Sequence, residues 1–407
     1  MDILVVGGGA SGMMAAISAA KLGANVTIFE KNDRVGKKIL STGNGKCNLT
    51  NLNMDLSMYN SDDRDKLRYC LNAFSEKDTL DIFGQLGLML KNKKGYIYPL
   101  SEQASVVLDV LRHMLDVLGV NIKTGMDVKD IIAGNGFDVI TDGSKHHFDK
   151  VILACGSYAG FDDKKRKNVN SYDLAKKMGH SIIPVLPALV QVVCAEEYYK
   201  SISGVRCDAT VTLYNENGAV GRERGELQIT DYGLSGIVVF QLSSEISRRL
   251  ERHEELNLVI DLLPEFDEDS FESFISGRIK SYLGENVESF FLGMIHKKLS
   301  ALIMRLCSLK PTDIVDKANA GDLYKACIMM KTFTASVSST KGFENAQVCT
   351  GGVPLTEVNE KLESLYQKGI YLCGEMLNVD GKCGGYNLQW AWTSGCIAGS
   401  FAAADGK

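Results

Sequence analysis

The first part of the chain alternates between short apolar runs and a longer helical segment. An apolar run at Ile3–Val6 leads through a glycine turn, Gly7 to Gly12, into an Ala- and Met-rich segment ending near Leu22, and a second apolar run follows at Val26–Glu30. Short apolar runs bounded by glycine indicate buried strands, whereas the longer segment has the length of a helix. The pattern predicts a strand–helix–strand unit, the usual start of a parallel sheet.

The following residues continue in the same manner. Helical periodicity is found at Arg64–Phe74, Lys77–Leu86 and Glu102–Leu118, and strand-like runs at Asn121–Thr124, Val128–Ala133, Gly136–Thr141 and His147–Ala154. The last run ends in Cys155 and Gly156, small residues that suit a chain passing close to a ligand. Both Pro184 and Pro187 disfavour a continued helix, so we expect a domain boundary there.

Beyond the prolines the pattern changes twice. Residues 188–264 alternate as in antiparallel strands, and residues 265–332 have helical spacing. A strand at Gly369–Cys373 and an Ala-, Gly- and Trp-rich helix to about Ala404 return to the style of the N-terminal part. We therefore expect an α/β fold in which residues 1–187 and 333–407 form one Rossmann-type domain, interrupted by an inserted domain at 188–332.

Composition narrows the class of protein. The 407 residues carry a formal net charge of -5, which gives no electrostatic reason for a nucleic-acid or anionic-membrane partner. Neither a signal-peptide pattern nor an apolar stretch of membrane-spanning length is seen. The 11 cysteines are scattered without a C-x-x-C pair, and the 6 histidines do not cluster with them. We expect a soluble, cytoplasmic protein with reduced thiols and no metal site.

The glycine turn carries the first chemical signal. Gly7-x-Gly9-x-x-Gly12 lies between a strand and a helix, and Glu30 ends the next strand. In such a unit the turn and the helix N-terminus receive a pyrophosphate, and the acid binds ribose hydroxyls. The motif predicts a dinucleotide but leaves FAD and NAD open.

Two further glycine-rich segments bear on that choice. Near the C-terminus, Gly374-Glu375 follows a strand and Gly385 precedes a helix; this pair suits the longer FAD, whose flavin must be held beyond the first unit. The alternative is that these glycines only permit packing and Asn387 only caps the helix. The second segment, Arg34–Asn48, combines cations with glycines suited to wrapping an anionic cofactor, although a solvated cationic loop has the same composition.

These segments resemble the aminoacetone oxidase and bile-acid dehydro-reductase (BaiN-like) family of FAD-dependent flavoproteins. The resemblance is carried by Thr42–Asn51 and Gly384–Trp392 and extends over nearly the full length. It implies one FAD, a nucleotide domain interrupted by an insert with β-barrel and helical parts, and redox chemistry on a small organic substrate. The residues expected to hold the cofactor are Gly7, Gly9, Ala10, Ser11, Gly12, Glu30, Lys31, Gly36, Lys37, Lys38, Thr42, Gly43, Asn44, Gly45, Cys47, Asn48, Val128, Cys155, Gly156, Gly374, Glu375, Gly385, Asn387 and Leu388.

The reaction is less constrained by the sequence than the cofactor. We expect reduction of an activated C=C bond with NADH or NADPH as electron donor; a flavin amine oxidase that uses O2 and a non-enzymatic flavin redox sensor remain alternatives. An NAD(P)-dependent dehydrogenase would leave the C-terminal glycines unexplained, and an RNA-modifying flavoprotein would call for a larger basic patch than Lys164–Lys167. Tyr386 and Lys382, beside the expected flavin edge, are the candidate proton-transfer groups.

Overall fold

A computed structural model describes residues 1–166 and 171–404. The chain forms two compact units, of which the first combines Met1–Leu186 with Gln347–Lys407 and the second is Pro187–Ala346. The N-terminal part of the first unit contains strands β1 (Asp2–Val6), β2 (Asn25–Glu30), β3 (Thr50–Asn51), β4 (Tyr59–Ser61), β5 (Leu90–Lys93), β6 (Tyr96–Pro99), β7 (Asn121–Thr124), β8 (Val128–Gly134), β9 (Gly136–Thr141), β10 (Ser144–Phe148), β11 (Lys150–Leu153) and β12 (Ile183–Ala188). Its helices are α1 (Ala10–Lys21), α2 (Arg64–Ala73), α3 (Glu76–Gln85), α4 (Ala104–Val117), α5 (Asp163–Arg166) and α6 (Ser171–Lys177).

The run expected as one strand at His147–Ala154 is divided between two sheets. β10 pairs antiparallel with β9, and β11 pairs parallel with β1. Asp149 lies between them, and its carboxylate accepts a hydrogen bond from Asp2 N at 2.7 Å. The single-strand prediction was therefore wrong, because continuous apolar character does not reveal a change of partner.

The second unit consists of a barrel and helices. Its elements are β13 (Val192–Cys194), α7 (Tyr199–Ile202), β14 (Arg206–Asn215), β15 (Gly218–Ile229), β16 (Gly233–Ser235), α8 (Ile237–Glu251), β17 (Asn257–Asp261), α9 (Glu268–Ser281), α10 (Val287–Phe291), α11 (Lys297–Leu306), α12 (Ala320–Lys331) and β18 (Phe333–Thr340). The six strands close into a barrel in the order β13-β16-β15-β14-β17-β18.

Two features of this unit depart from the sequence-based expectation. The segment 188–264 contains the helix α8 in addition to strands, and residues 333–340 are a barrel strand that pairs with β13 and β17. The second unit consequently extends to Ala346 rather than to residue 332. The alternation of β18 resembles that of any exposed strand, so the sequence does not reveal which sheet it joins.

The chain then returns to the first unit with β19 (Val348–Gly352), β20 (Ile370–Leu372), β21 (Val379–Gly381) and α13 (Tyr386–Ala404). The central sheet has the order β20-β11-β1-β2-β7, and all four pairings are parallel. Strands from both chain ends thus form one Rossmann-type sheet, as expected. None of the helices in the described residues is long and apolar enough to cross a membrane.

Helices α1 and α13 pack closely on one another at the face of this sheet. A Cβ on Gly395 would lie 2.4 Å from Ser11 O, and a Cβ on Gly399 would lie 2.1 Å from Ala15 O. Glycine is required at both positions because the two backbones are in contact. The packing fixes the first turn of α1, where the glycine motif lies.

Candidate cofactor site

A cavity of about 520 Å³ lies where the central parallel strands end. Residues from the ends of β1, β2 and β11 line it, together with the first residues of α1 and α13. Ligands in open parallel sheets bind at the carboxyl ends of the strands, and this volume lies within the range of small-molecule and cofactor sites. Both ends of the chain contribute to this one site.

The glycine turn brings the backbone to the cavity. Gly7 has φ +103°, and a Cβ there would lie 2.5 Å from Ala154 O. A Cβ on Gly12 would lie 1.9 Å from Gly7 O, so the turn and the first turn of α1 are in direct contact. The first hydrogen bond of α1 runs from Met13 N to Gly9 O at 2.9 Å. The N–H groups that precede it have no partner within the helix and lie at the cavity edge, where the positive end of the helix dipole favours an anion.

Glu30 lines the cavity and also organises the surrounding loops. Its Oε2 accepts a hydrogen bond from Gly8 N at 2.8 Å, and its Oε1 accepts from Asn32 N at 2.8 Å and Asn32 Nδ2 at 2.6 Å. A carboxylate oxygen has room for a second acceptor contact, so this network leaves capacity for a ligand hydroxyl.

The two cations expected to face a phosphate are held by carboxylates. Lys37 pairs with Asp33, four residues before it in the chain, and Lys38 Nζ lies 2.6 Å from Glu375 Oε2. The hydrogen bond from Lys37 lowers the pKa of Asp33. Ser157 Oγ also donates to Glu375 Oε2, at 3.2 Å. The Lys38–Glu375 pair therefore joins the loop after β2 to the turn after β20, although both cations line the cavity as predicted.

At the other end, α13 presents its N-terminus to the cavity. Asn387 Oδ1 accepts from Gly381 N at 2.8 Å and its Nδ2 donates to Gly381 O at 2.7 Å. The first intrahelical bond runs from Gln389 N to Gly385 O, which leaves the preceding N–H groups at the helix end. Trp390 Nε1 donates to Gly374 O at 3.1 Å and so fixes the turn after β20 against the helix.

Most of the predicted cofactor residues line this one cavity. They are Gly7, Gly9, Ala10, Ser11, Glu30, Lys31, Gly36, Lys37, Lys38, Thr42, Val128, Cys155, Gly156, Gly374, Glu375, Asn387 and Leu388. The remaining predicted residues, Gly12, Gly43, Asn44, Gly45, Cys47, Asn48 and Gly385, are not part of its lining. Cys47 is buried behind the loop, and burial raises the pKa of its thiol to about 11.

The two candidate proton-transfer residues are also not part of this lining. The Tyr386 hydroxyl donates to Asn53 O at 3.1 Å, and burial raises the pKa of this phenol. The Lys382 backbone N–H donates to Met58 O at 2.9 Å. The roles proposed for these two residues thus gain no support from the cavity's geometry.

Sequence reasoning missed several lining residues that come from distant segments. They include Met126, Asp127, Phe161, Ser171, Gln347 and Val348. Arg34 and Ser41, within the predicted cationic segment, also line the cavity, as do Asn32 and Ser157. Two buried polar atoms in the cavity wall, Ser171 Oγ and Glu375 Oε1, have no hydrogen-bond partner within residues 1–166 and 171–404. Buried polar atoms are normally paired, so these two fit contacts with a polar ligand. In the same residues, no three His, Cys, Asp or Glu side chains group together at metal-binding distance.

A family model for the HI0933-like protein Rossmann domain matches residues 1–401. The chain belongs to the HI0933-like family. The chain is 41% identical over 406 residues to the 3-dehydro-bile acid delta(4,6)-reductase of Clostridium scindens, with 98% of each chain covered. The predicted membership of the BaiN-like flavoproteins is confirmed, and the chain is an FAD-dependent oxidoreductase.

Weaker similarities are found to other curated proteins and to solved structures. The ribosomal RNA dihydrouridine synthase of Escherichia coli is 26% identical, with 97% of this chain and 96% of the relative covered. Among solved structures, the 3-ketosteroid delta1-dehydrogenase of Sterolibacterium denitrificans has a TM-score of 0.51 at 14% identity, with 99% of each chain covered. That likeness shows only that the two chains share a fold. The expectation that nucleic acid is not a partner stays a prediction.

Proposed function

We propose that the protein reduces a C=C bond conjugated to a carbonyl group in a small organic molecule, with NADH or NADPH as electron donor. The observation that carries the proposal is the cavity that both chain ends line, in a chain 41% identical to a reductase of 3-dehydro-bile acids. An oxo group at carbon 3 conjugates with a double bond at carbon 4, which makes the far alkene carbon electrophilic. A substrate of this class accepts a hydride at that carbon and a proton at its neighbour, while NAD(P)H is oxidised to NAD(P)+.

FAD, when bound, supplies the two-electron redox centre between the donor and the substrate. We propose that the Gly7–Gly12 turn and the N-terminus of α1 hold its pyrophosphate, and that Glu30 binds its adenosine ribose. Ser171 Oγ and Glu375 Oε1, buried without partners in the described residues, are proposed as further polar contacts. The N-terminus of α13 would hold the flavin, and its dipole would stabilise negative charge there.

The proposed reaction is tested by anaerobic visible spectroscopy of the FAD-loaded protein. We expect NADH or NADPH to bleach the flavin band, and a 3-oxo-Δ4 steroid to restore it with formation of the saturated ketone. A band that neither nucleotide bleaches, but that an amine bleaches and O2 restores, would support the oxidase instead. If NAD(P)H bleaches the band but no tested substrate restores it faster than O2 does, a redox sensor is favoured.

A second candidate is suggested by the relatives that act on ribosomal RNA. A dihydrouridine differs from uridine by saturation of a C=C bond next to a carbonyl, so the chemistry is the same and only the substrate class differs. Incubation of the reduced protein with unmodified ribosomal RNA distinguishes the two. Formation of dihydrouridine with no turnover of the steroid would replace the proposed substrate class.

A further inference from the structure

A group of lysines converges on one carboxylate near the start of α13. Lys93 Nζ lies 2.5 Å from Glu102 Oε1, Lys46 Nζ lies 3.1 Å from Glu102 Oε2, and Lys91 also pairs with Glu102 Oε1. These hydrogen bonds, led by those from Lys91 and Lys93, lower the pKa of Glu102 to about 2. Lys46, Lys91 and Lys93, here called the lysine cluster, carry three positive charges against the one negative charge of Glu102. The cluster therefore has a net positive charge. Lys94, at the tip of the β5–β6 hairpin, is exposed beside it.

Aromatic rings share the face of the hairpin that carries two of these lysines. Lys91 is paired with Tyr98 and Lys93 with Tyr96 across the two strands. Residues directly opposite on antiparallel strands project to the same side, so both lysines and both tyrosines lie on one face. Lys93 Nζ also lies 5.7 Å from the centre of the Tyr98 ring. Such a face offers a cation for an anionic group and a flat apolar surface for a ring or chain.

The face adjoins the segment that leads into the proposed flavin-facing helix. A Cβ on Gly384 would lie 2.9 Å from Tyr96 Cε1, and Asn51 Nδ2 donates to Gly384 O at 2.9 Å. From Gly384 the chain enters α13, whose residues Asn387 and Leu388 line the cavity. Lys46 lies at the end of the loop that starts from the cavity-lining Thr42, where Cys47 N donates to Thr42 O at 3.1 Å. The lysine cluster is therefore connected to the cavity wall by two short segments.

The backbone at the centre of the cluster is held in an unfavourable conformation. Glu102 has φ 52°, in the left-handed region that residues with a Cβ seldom adopt. Its N–H donates to Pro99 O at 2.9 Å, which closes a turn after β6 and directs the carboxylate toward the three lysines. Strained backbone of this kind is found preferentially at functional sites. Each lysine ammonium has three donors, so a ligand anion can bind these lysines beside Glu102.

We infer that Lys46, Lys91 and Lys93 bind an anionic group, a carboxylate or a phosphate, of the substrate whose conjugated C=C bond reacts at the flavin. The inference rests on the proposed function and adds to it the residues that bind the charged end of the substrate, across a ring or chain from its reactive alkene. In the bound state the ligand's anionic oxygens replace part of the Glu102 contacts, and the apolar part of the ligand lies along Tyr96.

The test compares the binding of a charged and a neutral form of one molecule. Oxidised, FAD-loaded protein is titrated anaerobically, without a donor, with 3-oxo-4-cholenoic acid or with its methyl ester, and binding is read from the flavin band. We expect the acid to bind roughly fivefold or more tightly than the ester, with a preference that falls at high salt. K91Q/K93Q is expected to abolish the preference, and E102Q, which releases the lysines from their carboxylate, is expected to increase it.

K145Q serves as the control, because Lys145 is an exposed lysine paired with one carboxylate, Asp138, at 2.7 Å elsewhere in the same unit. This variant should retain the full preference. The inference is overturned if K91Q/K93Q retains the acid preference, if wild type shows none, or if a short oligouridylate binds to these lysines and the carboxylate does not. Reduction of the methyl ester by wild type with NAD(P)H tests the proposed function separately. If the ester is reduced but the acid is not preferred in binding, the proposed function is supported and only the inference about the lysines is wrong.

Discussion

Replacing Gly399 with alanine tests the contact between α1 and α13 that holds the two chain ends together. The added Cβ would lie 2.1 Å from Ala15 O and 2.8 Å from Ala15 Cα. An ordinary carbon–oxygen contact is about 3.4 Å, so the helices must separate by roughly 1 Å. The contacting atoms belong to the backbone of a buried helix and cannot rotate away as a side chain would.

The expected loss of stability in G399A is the difference between two opposing contributions to the free energy of unfolding. Overpacking of a close contact costs about 1–3 kcal/mol, and contact with backbone places this site at the upper end. Alanine in a helix gains about 0.5–1 kcal/mol over glycine, which offsets part of that cost. We expect G399A to lower the free energy of unfolding of the first unit by about 2 kcal/mol.

Tryptophan fluorescence provides a specific assay for this unit. The chain has 2 tryptophans, Trp390 and Trp392, and both are buried in α13. Urea titration of the FAD-loaded protein, followed by this fluorescence, reports the unfolding of the unit that contains the cofactor site. The control is G84A in α3, where an added Cβ would meet nothing within 4 Å and which should stabilise the same unit slightly. An unfolding free energy for G399A equal to or above that of wild type would refute the close backbone contact.

Three further predictions concern individual side chains. Trp390→Phe removes the hydrogen bond to Gly374 O, and FAD titration should show roughly fivefold weaker binding, since such a bond contributes about 1 kcal/mol; unchanged affinity would contradict this role. Burial lowers the pKa of His180, so the unfolded state binds its proton at higher pH than the folded state does. Stability should therefore fall as the pH drops below about 6.5, and His180→Asn should flatten the melting temperature between pH 5 and 7. Burial raises the pKa of Cys47 to about 11 and that of Cys373 to about 12, so iodoacetamide at pH 8 should label both only after unfolding, as read by peptide mass spectrometry.

The sequence identified the site best where the responsible pattern is local. Gly7, Gly9 and Glu30 belong to one strand–helix–strand unit, and the spacing within that unit places all three at one cavity. Ser171 and Gln347 also line the cavity, but nothing in their own neighbourhoods distinguishes them from other polar residues, because tertiary contacts bring them there. No window of the sequence contains that information.

Prediction of the fold was limited in the same way, because local patterns do not reveal tertiary contacts. The segment Ile237–Glu251 begins with four apolar residues and was included in a β-rich region, yet it forms α8, whose Ser243, Ser244 and Ser247 are buried. Small serines at helical spacing pack closely against a neighbour, a signal that hydropathy alone does not carry. The pairing of Lys38 with a carboxylate was missed because its partner, Glu375, lies 337 residues away.

The joining of both chain ends in one sheet has a consequence for biosynthesis. A ribosome makes α1 first and α13 last, so the nascent protein exposes the buried face of α1 while the whole barrel unit is translated. The wall formed by Gly374, Glu375 and the start of α13 does not exist until that point, so FAD loading must follow release of most of the chain from the exit tunnel. Until then the glycine turn is an incomplete half-site, and a chaperone that covers α1 would protect the protein during the interval in which it is most prone to aggregate.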